Sequence, residues 1–183
     1  MSYGVVSASN YKATFFDGEC AVIATDIPAE EQGTGMLFNM DGEVVGMISS
    51  SVWNDTGKNV VNAYGISDLK PIIELLINGK SVPYIGIYGT TVTEQLAEEH
   101  KMPSGIYVAD VDPDSPAMAA GIQIGDIICE ASGEEIKDIA AYQNIVIGSS
   151  VGETMEFVGK RLGSDGYVNI KFSVVTTEKE EVQ

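Results

Sequence analysis

Hydrolysis of a peptide bond by a serine-type mechanism needs an activated hydroxyl, an imidazole within hydrogen-bond reach, and a carboxylate that fixes the imidazole. This chain holds a single histidine, His100, in the setting Glu98-Glu99-His100-Lys101. That setting reads as the polar end of a short helix, with the ring at the surface. The hydroxyl candidate is Thr34, in Gln32-Gly33-Thr34-Gly35. A β-branched threonine is restricted at χ1, and no base accompanies it. Loss of the nucleophile or the base alone lowers turnover on the order of a millionfold. No residue of this chain is therefore assigned a catalytic role.

Other reactive groups are equally unpromising. Cys20 and Cys129 lie far apart in apolar stretches, which reads as two separate buried thiols and no disulfide. They show neither metal-ligand spacing nor C-x-x-C. The acidic run Asp110-Val111-Asp112-Pro113-Asp114 fails as a calcium loop, since Ser115 and Gly121 stand where glycine and glutamate are required. There is no P-loop and no G-x-G-x-x-G. Neither a metal nor an organic cofactor is expected.

Charge narrows the partners. The 183 residues include 27 acidic and 10 basic side chains, for a formal net charge of −17. With no basic cluster to neutralise phosphates, nucleic acid is not expected as a partner, and an anionic membrane surface would repel the chain. No apolar run is long enough to span a bilayer. Residues Met1 to Val5 lack a basic n-region and a long apolar h-region, so no export signal is expected within the chain.

The elements that must position any site read as mainly β. Short apolar runs over residues 3–66 are punctuated by Asp17-Gly18, Asp41-Gly42 and Asn54-Asp55-Thr56-Gly57. Asp41-Gly42 between two apolar runs predicts a tight hairpin. A helix is predicted over about 68–78, with Asp68 as N-cap, Pro71 in the first turn and Gly79 at the C′ position. A second is predicted near 138–147, capped by Asp138 and stopped by Gly148. Strands Thr154–Gly159 and Tyr167–Val174 flank a turn at Gly163-Ser164-Asp165-Gly166, and the tail from Thr176 is expected to fray.

Two stretches resemble known motifs. Thr25-Asp26 through Gly33-Thr34-Gly35-Met36-Leu37, followed by Asn39-Met40-Asp41-Gly42, is similar to the active-site segment of the HtrA (Deg) trypsin-like serine proteases. That segment carries G-N-S-G-G. Here the loop is one residue short, and the serine position falls on Gly33 or Thr34 according to the side from which it is counted. Tyr3-Gly4-Val5-Val6-Ser7-Ala8 resembles a strand already inside the second protease barrel of that family. Ser67-Asp68 through Gly79-Lys80 resembles its linker helix. Tyr84-Ile85-Gly86-Ile87, and Asp112-Pro113-Asp114-Ser115-Pro116-Ala117 running into Gly125-Asp126-Ile127-Ile128, resemble its PDZ domain.

The resemblance implies a partial trypsin-like barrel over 1–66, a linker helix over 67–82, a PDZ domain with two helices over 83–176, and a polar tail over 177–183. By the same resemblance, the barrel that would carry catalytic His and Asp is expected to have no counterpart among these residues. Glu30 and Glu31, with Pro28, would also disfavour an oxyanion hole, whose donors must sit within about 0.5 Å of their productive positions. What remains is a binding role. A PDZ domain adds an extended peptide to a sheet edge. By the resemblance, backbone N–H groups of Tyr84, Ile85, Gly86 and Ile87 hold the terminal carboxylate, and Gly86 permits its close approach. On the helix face Ile139, Tyr142, Ile145 and Val146, the two expected to reach the ligand are Tyr142 and Val146.

The expected function is therefore a non-catalytic peptide-binding module of a degenerate HtrA-like protein, with C-termini or unfolded segments as partners. Two alternatives stay open: a fragment of an active endopeptidase of this type, and an oligomeric scaffold that docks a partner or a missing first barrel through its half-barrel. The resemblance also implies an extracytoplasmic parent, exported by a signal or held by an anchor.

Overall fold

The computed structural model describes residues 2–28, 33–49 and 60–179. The chain forms two compact units, Met1–Ala13 with Cys20–Glu74 and Thr14–Glu19 with Leu75–Gln183. The turn at the tip of the first hairpin thus belongs to the second unit.

An open five-stranded sheet makes the first unit. Its strands are β1 (Val6–Phe15), β2 (Gly18–Pro28), β3 (Gly35–Phe38), β4 (Val44–Ile48) and β5 (Val60–Gly65), in the order β1-β2-β5-β4-β3. The unit is built of strands as expected, but its sheet is open and does not close into a barrel. Cys20, Val22 and Ala24 alternate along β2 and are buried, as the period of two of a strand requires. Burial holds the Cys20 thiol up at about 11. Both cysteines are free; Cys20 is buried as expected, whereas Cys129 is only half-buried.

The Asp41-Gly42 hairpin forms between β3 and β4, with Gly42 at φ 81°. Asn39 builds it. Its Oδ1 accepts from the N–H groups of Asp41 at 3.0 Å and Glu43 at 2.9 Å.

The helix predicted over 68–78 is α1, Ile66–Ile77. Asp68 does not cap it. Its Oδ2 accepts the Ala21 N–H at 2.8 Å, a tie to β2 that outcompetes the local cap, and Pro71 consequently falls inside the helix. The C-terminus ends as expected at Gly79, φ 67°. The Gly79 N–H donates to the Leu76 carbonyl and the Lys80 N–H to the Leu75 carbonyl, the paired bonds of a Schellman motif.

In the second unit, β7 (Ile87–Val92), β8 (Gly105–Val111), β9 (Ile127–Ala131), β11 (Thr154–Gly163) and β12 (Gly166–Val175) form a sheet in the order β12-β11-β9-β8-β7, and β10 (Glu134–Glu135) pairs with β9. Three helices accompany it: α2 (Glu94–His100), the single turn α3 (Pro116–Ala119), and α4 (Ile139–Gly148). The predicted cap holds for α4, where Asp138 Oδ1 accepts the Ala141 N–H at 2.7 Å. The core includes Ile85, Ile87, Ile106, Val108, Tyr142, Val146, Met155 and Phe157, all essentially inaccessible.

Part of the tail expected to fray is ordered. Strand β13 (Thr177–Glu178) pairs with β6 (Pro83–Tyr84). The buried Thr176 anchors it by donating its hydroxyl to the Ser150 carbonyl at 2.6 Å.

Candidate functional site

Between β6 and β7 the backbone turns through Ile85 and Gly86. Its carbonyls are already spent: that of Ile85 accepts the Ala117 N–H at 2.9 Å and that of Gly86 accepts the Asp112 N–H at 2.9 Å. The N–H groups are left pointing together. Gly86 sits at φ 94°, and a Cβ there would lie 2.3 Å from the Ser115 Cβ. Only glycine fits both the dihedral and the space.

These N–H groups converge on one carboxylate. Asp17 Oδ2 accepts from Ile85 N at 2.7 Å and Gly86 N at 2.8 Å, and Oδ1 accepts from Ile87 N at 3.0 Å. A fourth donor comes from α4, where the Tyr142 hydroxyl reaches Oδ1 at 2.7 Å. The Asp17 N–H also donates to the Ile87 carbonyl at 2.7 Å. Asp17 therefore presents to this loop an N–H and a carboxylate carried close to one Cα.

The rest of the turn is gripped on both sides. The Glu19 N–H donates to Gln143 Oε1 on α4 at 3.1 Å. The Phe16 ring meets the Tyr88 ring edge-on at 5.8 Å, and Lys179 Nζ lies 5.0 Å from the centroids of both Phe16 and Tyr84. Tyr84 donates its hydroxyl to Asp112, whose Oδ2 also faces Lys179 Nζ at 3.6 Å.

Burial raises the Asp17 carboxyl above the ordinary carboxylate range, and the bonds from Tyr142, Gly86, Ile87 and Ile85 oppose that rise. Tyr142 is pushed well above the usual phenol value, first by burial and then by the charge of Asp17. Tyr84 is raised by burial and by its bond to Asp112. Such a cluster of donors binds a carboxylate.

The structure thus brings Ile85, Gly86, Ile87 and Tyr142 to one point. Tyr84 stands beside them and is bonded to Asp112. Val146 is buried in the core, as is Ile139, with Ile145 packed against them. Gly33 and Thr34 are exposed at the entrance to β3 in the first unit, and His100 is exposed at the end of α2 in the second. Glu30 and Glu31 lie outside the described residues.

Sequence reasoning missed Asp17 and Gln143. Asp17-Gly18 carries the signature of a turn and nothing that marks a distant partner.

The sequence profile of the PDZ domain matches residues 107–161. The chain is 30% identical over 174 residues to a probable periplasmic serine endoprotease DegP-like of Halomonas elongata, covering 91% of this chain and 36% of that protein. It is 30% identical to the serine protease Do-like HtrA of Bacillus subtilis, with 87% of this chain and 38% of that protein covered. The chain therefore spans rather over a third of the length of these relatives. Its fold is similar to that of the HtrA-type protease AlgW with decapeptide, at a TM-score of 0.59 and 23% identity, over 98% of this chain and 56% of that one.

Proposed function

The chain is an HtrA-type, PDZ-containing one, and on that premise we propose that it is a non-catalytic peptide-binding module that captures free C-termini or unfolded segments. A single observation carries the reading: the N–H groups of Ile85, Gly86 and Ile87 close on one carboxylate at 2.7–3.0 Å. A cradle that holds an aspartate side chain this way has the donors a peptide terminus needs. In this proposal Tyr84, Ile85, Gly86, Ile87 and Tyr142 form the carboxylate site, and Val146 lines the side-chain pocket. Residues 1–66 act as a protease remnant, 67–82 as a linker, 83–176 as the PDZ domain and 177–183 as its tail. The relatives described as periplasmic support an extracytoplasmic setting for the parent.

Hydrolysis is left without a base. His100 is the only histidine of the chain, and it ends α2 with its side chain exposed. The test of the binding reading is titration of the protein with peptides that end in an apolar residue and a free carboxylate. Saturable binding near the micromolar range is expected, from a few net hydrogen bonds of about 1 kcal/mol each plus one buried side chain. The Gly86→Glu variant should abolish it. Casein cleavage abolished by Thr34→Ala would overturn the non-catalytic reading instead.

A further inference from the structure

Within the second unit the carboxylate cradle is already filled, and by this chain itself. Resting on the peptide-binding reading above, we propose that the Phe16–Glu19 turn is an internal ligand of the PDZ groove, and that a peptide C-terminus binds only by displacing Asp17 from the Ile85–Ile87 cradle.

The argument is one of matched chemistry. A peptide terminus offers an N–H and a carboxylate on the same Cα. Asp17 offers the same pair with one methylene more between them. Its N–H takes the Ile87 carbonyl, and its carboxylate takes all three loop N–H groups. The backbone bends back at Asp17, φ 63°, and that left-handed bend lets an internal residue imitate a chain end. Three side contacts hold the turn in place: the Tyr142 hydroxyl on Asp17, Gln143 on the Glu19 N–H, and Tyr88 against Phe16. The fit is close. A Cβ at Gly18 would lie 2.6 Å from the Gln143 side chain, so the turn passes α4 with no room for a larger residue.

No other group in the described residues offers the cradle a competing anion at bonding distance. With its three N–H donors taken, a second carboxylate cannot enter until the first leaves. The turn belongs to the same chain as the cradle, so it competes as an intramolecular ligand that is present whatever the concentration of outside peptide. A site open only a fraction of the time binds an outside ligand more weakly by that fraction.

The experiment uses the full chain and a fluorescein-labelled decapeptide ending in two valines, with a free carboxylate or an amidated end. Fluorescence anisotropy compares the wild-type protein with Asp17→Gly and Asp17→Asn. Glycine and asparagine both accept a positive φ, so the turn is retained while the carboxylate is lost. Affinity for the free-acid peptide should tighten tenfold or more in both variants, and the amidated peptide should bind none of the proteins. In the wild-type protein, saturating peptide should expose the Asp17 and Glu19 amides to hydrogen exchange while those of Ile85, Gly86 and Ile87 stay protected.

Equal affinity in wild type and both variants would overturn the inference and leave peptide binding intact. Weaker binding in the variants, with native-like amide spectra, would also overturn it and make Asp17 a scaffold of the loop. Failure of every protein to bind, with native-like spectra, would defeat the peptide-binding reading and the inference with it. Unchanged Asp17 exchange at saturation would show that the peptide binds elsewhere.

Discussion

At the scale of single residues, the Tyr142 hydroxyl carries the most informative bond in the molecule. Tyr142 is fully buried, and its hydroxyl donates to the carboxylate of Asp17, a residue only 8% exposed. Hydrogen bonds to charged groups contribute about 1.5–3 kcal/mol. In Tyr142→Phe the carboxylate keeps its three backbone donors but loses the one supplied by α4. Since 1.4 kcal/mol is a factor of ten in an equilibrium, the turn should open about tenfold or more often. Amide exchange at Asp17 and Glu19, followed by nuclear magnetic resonance, reads this directly. Unaltered exchange would mean that the loop N–H groups alone hold the turn. Val146 lacks this kind of leverage, because its apolar side chain is buried among other core side chains and has no group that could bond the turn.

Elements show what a sequence pattern can and cannot convey. Gly79 and Asp138 were readable because their partners lie within a few residues, and both ends formed as expected. Asp68 misled for the same reason. It has the chemistry of an N-cap, but its partner is Ala21 in another strand. The cradle was readable through Tyr84-Ile85-Gly86-Ile87, where glycine is dictated by dihedral and space. Its occupant was not, since Asp17 lies 69 residues from Gly86 and its immediate neighbours spell only a turn. Asp126 falls between these cases. Its place in the Gly125-Asp126 step follows from the resemblance, whereas its function needs the sheet. Oδ1 accepts from Arg161 Nε at 2.6 Å and Oδ2 from Nη2 at 2.7 Å, which joins the start of β9 to β11, and Oδ2 also takes the Gln123 N–H. Removing one partner of a buried pair costs about 3–5 kcal/mol. The Arg161 side chain keeps 32% exposure and that of Asp126 1%, so Arg161→Leu should fall at the low end, about 3 kcal/mol. Urea unfolding measures it. Adding Asp126→Leu should return much of the loss, and strictly additive losses would show that the pair does not act as one unit.

For the whole molecule, charge is the property that no single contact expresses. The chain carries 27 acidic residues against 10 basic ones, and a field of that sign acts on a ligand before any bond forms. Such fields alter encounter rates more than final affinity, and salt screens them over a Debye length of about 10 Å at 0.1 M. The cradle itself demands an anion, the terminal carboxylate, so the field and the site pull in opposite directions. A ligand resolves this by carrying basic residues upstream of an apolar end. Two decapeptides sharing an apolar terminal residue, one with lysines upstream and one with glutamates, should therefore differ chiefly in association rate. The lysine peptide should associate faster at low salt, and the difference should shrink as ionic strength rises from about 0.05 to 0.5 M, where the Debye length falls to a few ångströms. Dissociation rates should change little, because release depends on the four donors around the carboxylate and on the turn that waits to replace it. Stopped-flow anisotropy in the Asp17→Gly protein separates the two effects, since there the field is almost unchanged while the internal competitor has lost its charge. If the lysine peptide kept its advantage at high salt, a specific acidic contact in the groove, and not the overall field, would be selecting it.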